Sequence, residues 1–119
     1  MYVYGMSTSP NSQLLKGSLS VMILRLLEGR DRMYGYEITQ KVKKLTAGEM
    51  TVTEGALYPA LHKLEAEGLL TTETQVVDGR ARKYYSLTKT GQTEAAGRVA
   101  ELTTFLENLN LVLNLKPSL

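Results

Sequence analysis

The stretch TEGALYPALHKLEAEGLLTTETQVVDGRARKYYSLTKTG, residues 53–91, holds two patterns in a telling order. Leu57, Leu61 and Leu64 recur at helical spacing and mark the buried stripe of a helix that Gly68 closes. Residues 69–77 are rich in Thr and Val and read as a strand. Asp78-Gly79 reads as a two-residue hairpin turn, because such turns need positive φ and glycine accepts it. The returning strand, RARKYYSLT, alternates: Ala81, Lys83, Tyr85 and Leu87 share one face, and Arg80, Arg82, Tyr84 and Ser86 the other. Tyr85 and Leu87 are expected to face the core, with the arginines reaching outward near the tip.

A helix followed by a basic hairpin is the order of a winged helix-turn-helix. The preceding residues supply its other helices. From about Gln13 to Glu28 the apolar residues Leu15, Leu19, Met22, Ile23 and Leu26 fall at helical spacing, and Gly29 is expected to end the helix in the left-handed conformation. A charged loop leads to a second helix from about Tyr34 to Thr46, with Ile38, Val42 and Leu45 on one face, broken at Ala47-Gly48. Thr51, with Glu54 three residues on, fits a capping box for the third helix, and Thr53 serves equally as N-cap. Pro59 is tolerable only in a first turn, which places the start of that helix close to Gly55 or Ala56. Residues 1–12 read as a loose arm, with Met6 an alternative start, and 13–88 as the winged domain.

The final helix, about Lys89 to Leu115 with a tail at 116–119, has a different character. Ala95, Val99, Leu102, Leu106, Leu109 and Leu113 follow a heptad seam, and Phe105 and Val112 widen it. So small a chain cannot cover an apolar helix of about 40 Å by itself, so the expected cover is the same helix of a second subunit. Val99, Leu102, Phe105, Leu106, Leu109, Val112 and Leu113 are the candidate dimer contacts. Gly97 interrupts the seam and marks a candidate point of close helix approach. The fold class expected is mainly α with a small β-hairpin: a winged helix-turn-helix plus a long C-terminal dimerisation helix.

Composition narrows the function. At 43% hydrophobic and 22% charged residues the chain is too apolar to be disordered. Its net charge is only +2, yet residues 1–83 hold 11 of the 14 Lys and Arg, a basic half beside a near-neutral one. There is no cysteine and a single histidine, so neither a thiolate nor a histidine-rich metal site is available, and no cofactor is expected. No apolar run approaches the roughly 20 residues of a membrane span, and the first residues lack the blocks of a signal peptide. A cytoplasmic protein without membrane partners is expected. No nucleophile–base pair or phosphate-cradling glycine motif supports an enzyme.

In a helix-turn-helix the N-terminal residues of the third helix meet base edges in the major groove. Here these are Thr53, Glu54 and Gly55, with Tyr58 and His62 along the same outer side. Glu54 either accepts from a cytosine amino group or merely complements the helix dipole. His62 is read as groove-facing or solvated rather than as a ligand. Arg80, Arg82 and Lys83 suit backbone phosphate or an adjacent minor groove. Of Lys41, Lys43 and Lys44, one or two are expected to touch phosphate, Lys41 first among them. Tyr34 and Tyr36, two apart, cannot share a helix face; Tyr34 is assigned outward to phosphate and Tyr36 to the core.

Three motifs in order resemble the PadR family of transcription regulators: Met33-Tyr34-Gly35-Tyr36-Glu37-Ile38; Gly55-Ala56-Leu57-Tyr58-Pro59-Ala60-Leu61 with Leu64-Glu65 and Gly68-Leu69; and Gly79-Arg80-Ala81-Arg82-Lys83-Tyr84-Tyr85 with Leu87-Thr88 and Gly91. The resemblance spans roughly residues 13–113. It implies a homodimeric winged helix-turn-helix, usually a repressor, of the compact kind with one C-terminal helix. It also implies that Tyr34, Thr53, Leu57, Tyr58, Lys63, Arg80 and Arg82 lie near DNA. Some compact members hold flat aromatic or cationic drugs between subunits against a tryptophan. This chain has no Trp, and Leu102 stands about where it would fall. A small apolar or aromatic effector is then expected, if at all, in an interfacial pocket lined by Leu15, Leu102 and Phe105.

The leading reading is a homodimeric repressor that binds an inverted-repeat operator in double-stranded DNA and is relieved by a small molecule. The alternative is a winged-helix adaptor that binds protein and never reads DNA; loss of wing charge would favour it, and this wing is basic.

Overall fold

The computed structural model describes residues 12–114. Residues 1–11 of the arm, with the alternative start at Met6, and the tail fall outside those residues. The order is α1 (Gln13–Glu28), β1 (Met33–Tyr34), α2 (Gly35–Leu45), α3 (Glu54–Ala66), β2 (Leu70–Val77), β3 (Arg80–Leu87) and α4 (Lys89–Leu113).

Ser12 starts α1 by accepting from the Leu14 and Leu15 amides at 3.2 and 3.4 Å. The helix buries Leu15, Leu19, Ile23, Leu24 and Leu27. Gly29 follows it at φ −94°, so it does not take the expected left-handed conformation. Its amide bonds back to the Leu27 carbonyl, which tightens the chain end without a positive φ.

β1 was not legible as a strand. Its two residues pair with β3, Met33 opposite Tyr85 and Tyr34 opposite Tyr84. Tyr34 is both the last residue of β1 and the N-cap of α2, where its amide donates to Glu37 Oε1 at 3.1 Å. α2 buries Ile38 and Val42, but Leu45 is 65% exposed rather than part of a core stripe. Ala47 and Gly48, both at positive φ, then turn the chain.

Thr53, not Thr51, caps α3, accepting from the Ala56 amide at 3.3 Å. The helix begins at Glu54, so Pro59 lies in its second turn rather than the first. Proline there removes the amide that would bond the Gly55 carbonyl, and both residues lie at the exposed surface, where that carbonyl is open to solvent. Gly68, at φ +77°, ends α3 with paired bonds from Gly68 N to Glu65 O and from Leu69 N to Leu64 O.

β2 and β3 form the hairpin, from Leu70 opposite Leu87 to Val77 opposite Arg80. Asp78 (φ +50°) and Gly79 (φ +77°) make its turn, both in the positive region that a two-residue hairpin requires. The sheet order is β1-β3-β2. Its inner face and α1–α3 enclose one core that includes Leu57, Leu61, Leu64, Leu69, Leu70 and Tyr85. The first half of α4 closes that core with Ala95, while its second half projects from it; Gly97 has open space around it, so no close helix approach occurs there within the chain.

Among the described residues, Tyr85 is the largest of the fully buried side chains, and its hydroxyl has no hydrogen-bond partner there. Burial, then Glu65 and Tyr58, push its pKa up. A lone buried hydroxyl is costly, so Tyr85→Phe is expected to stabilise the fold by about 1 kcal/mol at neutral pH. The phenol releases its proton less readily when folded. Its stability contribution is therefore intact below the unfolded pKa of about 10 and is lost as pH rises through the higher folded value. The advantage of Tyr85→Phe should widen above that point. Urea melts at both pH values test this; a variant less stable at neutral pH would show that the hydroxyl is satisfied.

Candidate nucleic-acid interface

The outward face of α3 carries Thr53, Glu54, Gly55, Pro59, His62 and Lys63, all exposed. Leu57, assigned to DNA by resemblance, is fully buried, so its side chain supports the helix from below instead of meeting a base. Tyr58 is half-buried. A Cβ at position 35 would stand 2.5 Å from its hydroxyl oxygen, so glycine at the start of α2 leaves room for this tyrosine of α3. The His62 ring lies 6.4 Å from that of Tyr58. Lys41 is half-buried on α2.

The wing cations divide between two faces. Arg80 is exposed at the tip, and Arg82 lies over the Tyr34 ring at 4.6 Å. The Tyr84 side chain, partly offset by desolvation, holds the Arg82 guanidinium above its ordinary pKa, with Tyr34, Tyr84 and Asp78 adding to the rise. Lys83 points to the opposite face, as alternation demands, and its Nζ lies 3.9 Å from Glu65 Oε1 on α3. It does not belong to a three-cation cluster at the tip. Among the described residues, no carboxylate lies within 4 Å of Arg80, Arg82 or Lys63, so these charges are available to an anion.

The two tyrosines of the YGY motif reverse the expected roles. Tyr36 is 61% exposed, while Tyr34 is half-buried and meets Tyr84 edge-on at 5.4 Å. Strand pairing at Tyr34 turns its ring onto the sheet, which a purely helical reading could not anticipate. Arg32, not singled out in the sequence, contacts Glu73 and Gln75 on β2 and covers the Tyr84 ring at 4.3 Å. Only its place two residues before Tyr34, on the same side of an extended segment, hinted at this.

Two apolar grooves flank α4. One, about 260 Å³, is lined by Met22 and Leu26 of α1, Val42 and Leu45 of α2, and Val99, Leu102 and Leu106 of α4. The other, about 410 Å³, lies between Leu14, Gly17, Leu102, Phe105, Leu106 and Leu109. Leu102 lines both, but Leu15 lies in the core and lines neither. Val99 and Leu102 are half-buried within the chain, whereas Phe105, Leu106, Leu109, Val112 and Leu113 are exposed. Among the described residues no helix is long and apolar enough to cross a membrane.

Comparison with known proteins agrees with this architecture. An uncharacterized protein X of Lysinibacillus sphaericus is 34% identical over 101 residues, which cover 84% of this chain and 92% of that one. The transcriptional regulator Rv3488 of Mycobacterium tuberculosis is 45% identical over 62 residues, covering 52% of this chain and 55% of that protein. A PadR-like transcription factor from Bacteroides fragilis superimposes with a TM-score of 0.69 at 34% identity, covering 84% of this chain and 94% of its own. A transcriptional regulator from Clostridium thermocellum does so with a TM-score of 0.73 at 27% identity, covering 87% and 96%. Residues 23–97 match the PadR-like transcriptional regulator family, and with its winged helix-turn-helix the chain belongs to that family.

Proposed function

We propose that the protein is a homodimeric repressor that binds an inverted-repeat operator and is released by a small apolar or aromatic effector. Residues 13–88 form its DNA-binding unit and the helix that begins at Lys89 its dimerisation element. The observation that carries the reading is the pair Arg80 and Arg82, without carboxylate partners among the described residues, on a wing beside an exposed recognition-helix face. α3 supplies Thr53, Glu54, Tyr58, His62 and Lys63 to the major groove, and the wing supplies phosphate contacts. Tyr34 acts by holding Arg82, and Lys41 adds charge from α2. Half-site centres about 34 Å apart suit two such helices one turn apart on one side of the duplex.

The groove between α1, α2 and α4 supports the effector reading. It joins the helix-turn-helix to the helix that sets subunit spacing. A ligand that fits one spacing better than another changes operator affinity by the difference in its binding free energies.

Titration of the protein's own upstream DNA and of a scrambled duplex across a salt series tests the core of this reading. Tight, sequence-dependent binding with a steep salt slope is expected; no binding even at low salt would overturn it in favour of a protein-interaction adaptor. The double substitution Arg80→Gln with Arg82→Gln should weaken both duplexes by roughly 10- to 100-fold. It should also flatten the log–log salt slope by about 0.9 for each phosphate that is no longer neutralised. An unchanged slope would remove the wing from the interface.

A further inference from the structure

The outward face of the sheet carries an unbroken row of side chains from the loop before β1 to the wing. Arg32 lies over Tyr84 at 4.3 Å, Tyr84 meets Tyr34 edge-on at 5.4 Å, and Arg82 lies over Tyr34 at 4.6 Å. Arg32 also reaches across to β2, where Nη1 donates to the Glu73 carboxylate and Nη2 to Gln75 Oε1 at 3.0 Å. Gln75 Nε2 in turn donates to Glu73 at 2.6 Å. Glu73 stands opposite Tyr84, and Gln75 opposite Arg82, so the row engages both hairpin strands and β1.

We propose that Arg32 is a positioning residue for DNA recognition: through Tyr84 and Tyr34 it fixes the direction in which Arg82 presents its guanidinium. The proposal rests on the DNA-binding reading given above and adds to it a residue that does not itself touch DNA.

Two features of the fold make such a device necessary. β1 has only two residues and pairs with β3 no nearer the tip than Tyr84. Among the described residues the tip half of the hairpin, from Thr74 to Lys83, therefore has no third strand, and a two-stranded hairpin is marginally ordered by itself. The stack supplies the missing support and ties it to Tyr34, the N-cap of α2, so that wing and helix-turn-helix move together. Arg32 is poorly suited to contact phosphate directly, because its charge already meets the Glu73 carboxylate. A lysine could not replace it, since one planar fork both bonds two acceptors and covers a ring.

The test uses the full chain, with the parent protein, Arg32→Ala, Arg32→Lys, Arg82→Ala and Arg32→Ala/Arg82→Ala. Two readouts are taken after thermal melts confirm folding. The first is affinity for the upstream duplex across a salt series. Arg32→Ala should weaken binding by roughly 5- to 25-fold in a dimer, as expected when one exposed cation–π pair is removed from each subunit. The salt slope should stay unchanged and Arg32→Lys should not rescue. Arg82→Ala should weaken binding and also flatten the slope, and the double variant should bind no worse than Arg82→Ala alone. A flattened slope for Arg32→Ala, or additive losses, would overturn the proposal.

The second readout needs no DNA: the side-chain NMR signals of Arg82, shifted upfield by the Tyr34 ring in the parent, should move toward random-coil values in Arg32→Ala and Arg32→Lys. Retention of the upfield shift in both would also overturn it. Should the parent bind no DNA, the functional reading fails through the first readout, while the stack itself is judged by the second.

Discussion

Leu106→Glu combined with Leu109→Glu is expected to leave a folded monomer whose operator affinity is lower by roughly 100- to 10,000-fold, the scale by which linking two binding units raises avidity. Both residues, 50% and 36% exposed, lie in the second half of α4, where Phe105, Leu111, Val112 and Leu113 are 55–80% exposed. So many large apolar side chains along one projecting helix are costly to leave in water, and a second copy of the helix offers a matching stripe. The first half of α4 is held differently: Gly91 and Ala95 are buried, and Val99 and Leu102 half-buried against the rest of the chain. Those four residues are unchanged, but Leu106 borders both grooves against the rest of the chain and Leu109 one of them, so circular dichroism is used to check that helix content persists. Sedimentation should give the monomer mass, and titration of operator DNA should show weak binding close to that of one half-site. A variant that sediments as a dimer would place the interface elsewhere on the chain.

The parts of this molecule that were legible in its sequence are those written in a local period. α1 begins and ends where its apolar spacing begins and ends, at Gln13–Glu28. The hairpin turn falls at Asp78-Gly79, with the positive φ values that the turn type demands. What the sequence hides depends on residues distant along the chain. β1 exists because Met33 and Tyr34 meet Tyr85 and Tyr84, about fifty positions away, and no pattern two residues long announces a strand. That pairing decides that Tyr34 lies on the sheet and Tyr36 in solvent. Arg32 gains its role from Glu73 and Gln75 in the same manner. Leu57 shows the opposite failing: the helical period already assigned it to the buried stripe, and resemblance alone drew it toward DNA. Lys83 is placed correctly by alternation but grouped with the arginines by proximity; the face wins, and it pairs with Glu65. Pro59 sits one or two residues deeper in its helix than expected because an exposed helix surface tolerates a missing backbone bond that a buried one would not.

Gly91→Ala is expected to destabilise the protein by about 3 kcal/mol, at the upper end for overpacking, and to lower its Tm by roughly 12–24 °C. Helix propensity taken alone argues the other way, since alanine improves on glycine by about 1 kcal/mol in a helix interior. The geometry overrides it. A Cβ at position 91 would lie 2.0 Å from the Leu69 carbonyl oxygen and 3.0 Å from its carbon. These are backbone atoms that cannot rotate away, and they are fixed from both sides. Leu69 is 3% exposed, and its carbonyl accepts the Thr88 amide at 3.0 Å. Thr88 in turn caps α4 through Gly91 N at 2.9 Å and donates to the Gly68 carbonyl at 2.7 Å. Relief of the clash must therefore shift α4 as a whole and break the joint between the wing and that helix. Gly97→Ala is the matched comparison, because nothing lies within 4 Å of a Cβ there and propensity should win by about 1 kcal/mol. Melts of both variants at one protein concentration, since the stability of the proposed dimer would depend on it, separate the two effects. Equal stability for Gly91→Ala and the parent would mean that the joint at Leu69 yields freely. A destabilised Gly97→Ala that still dimerises would instead place a partner helix against Gly97.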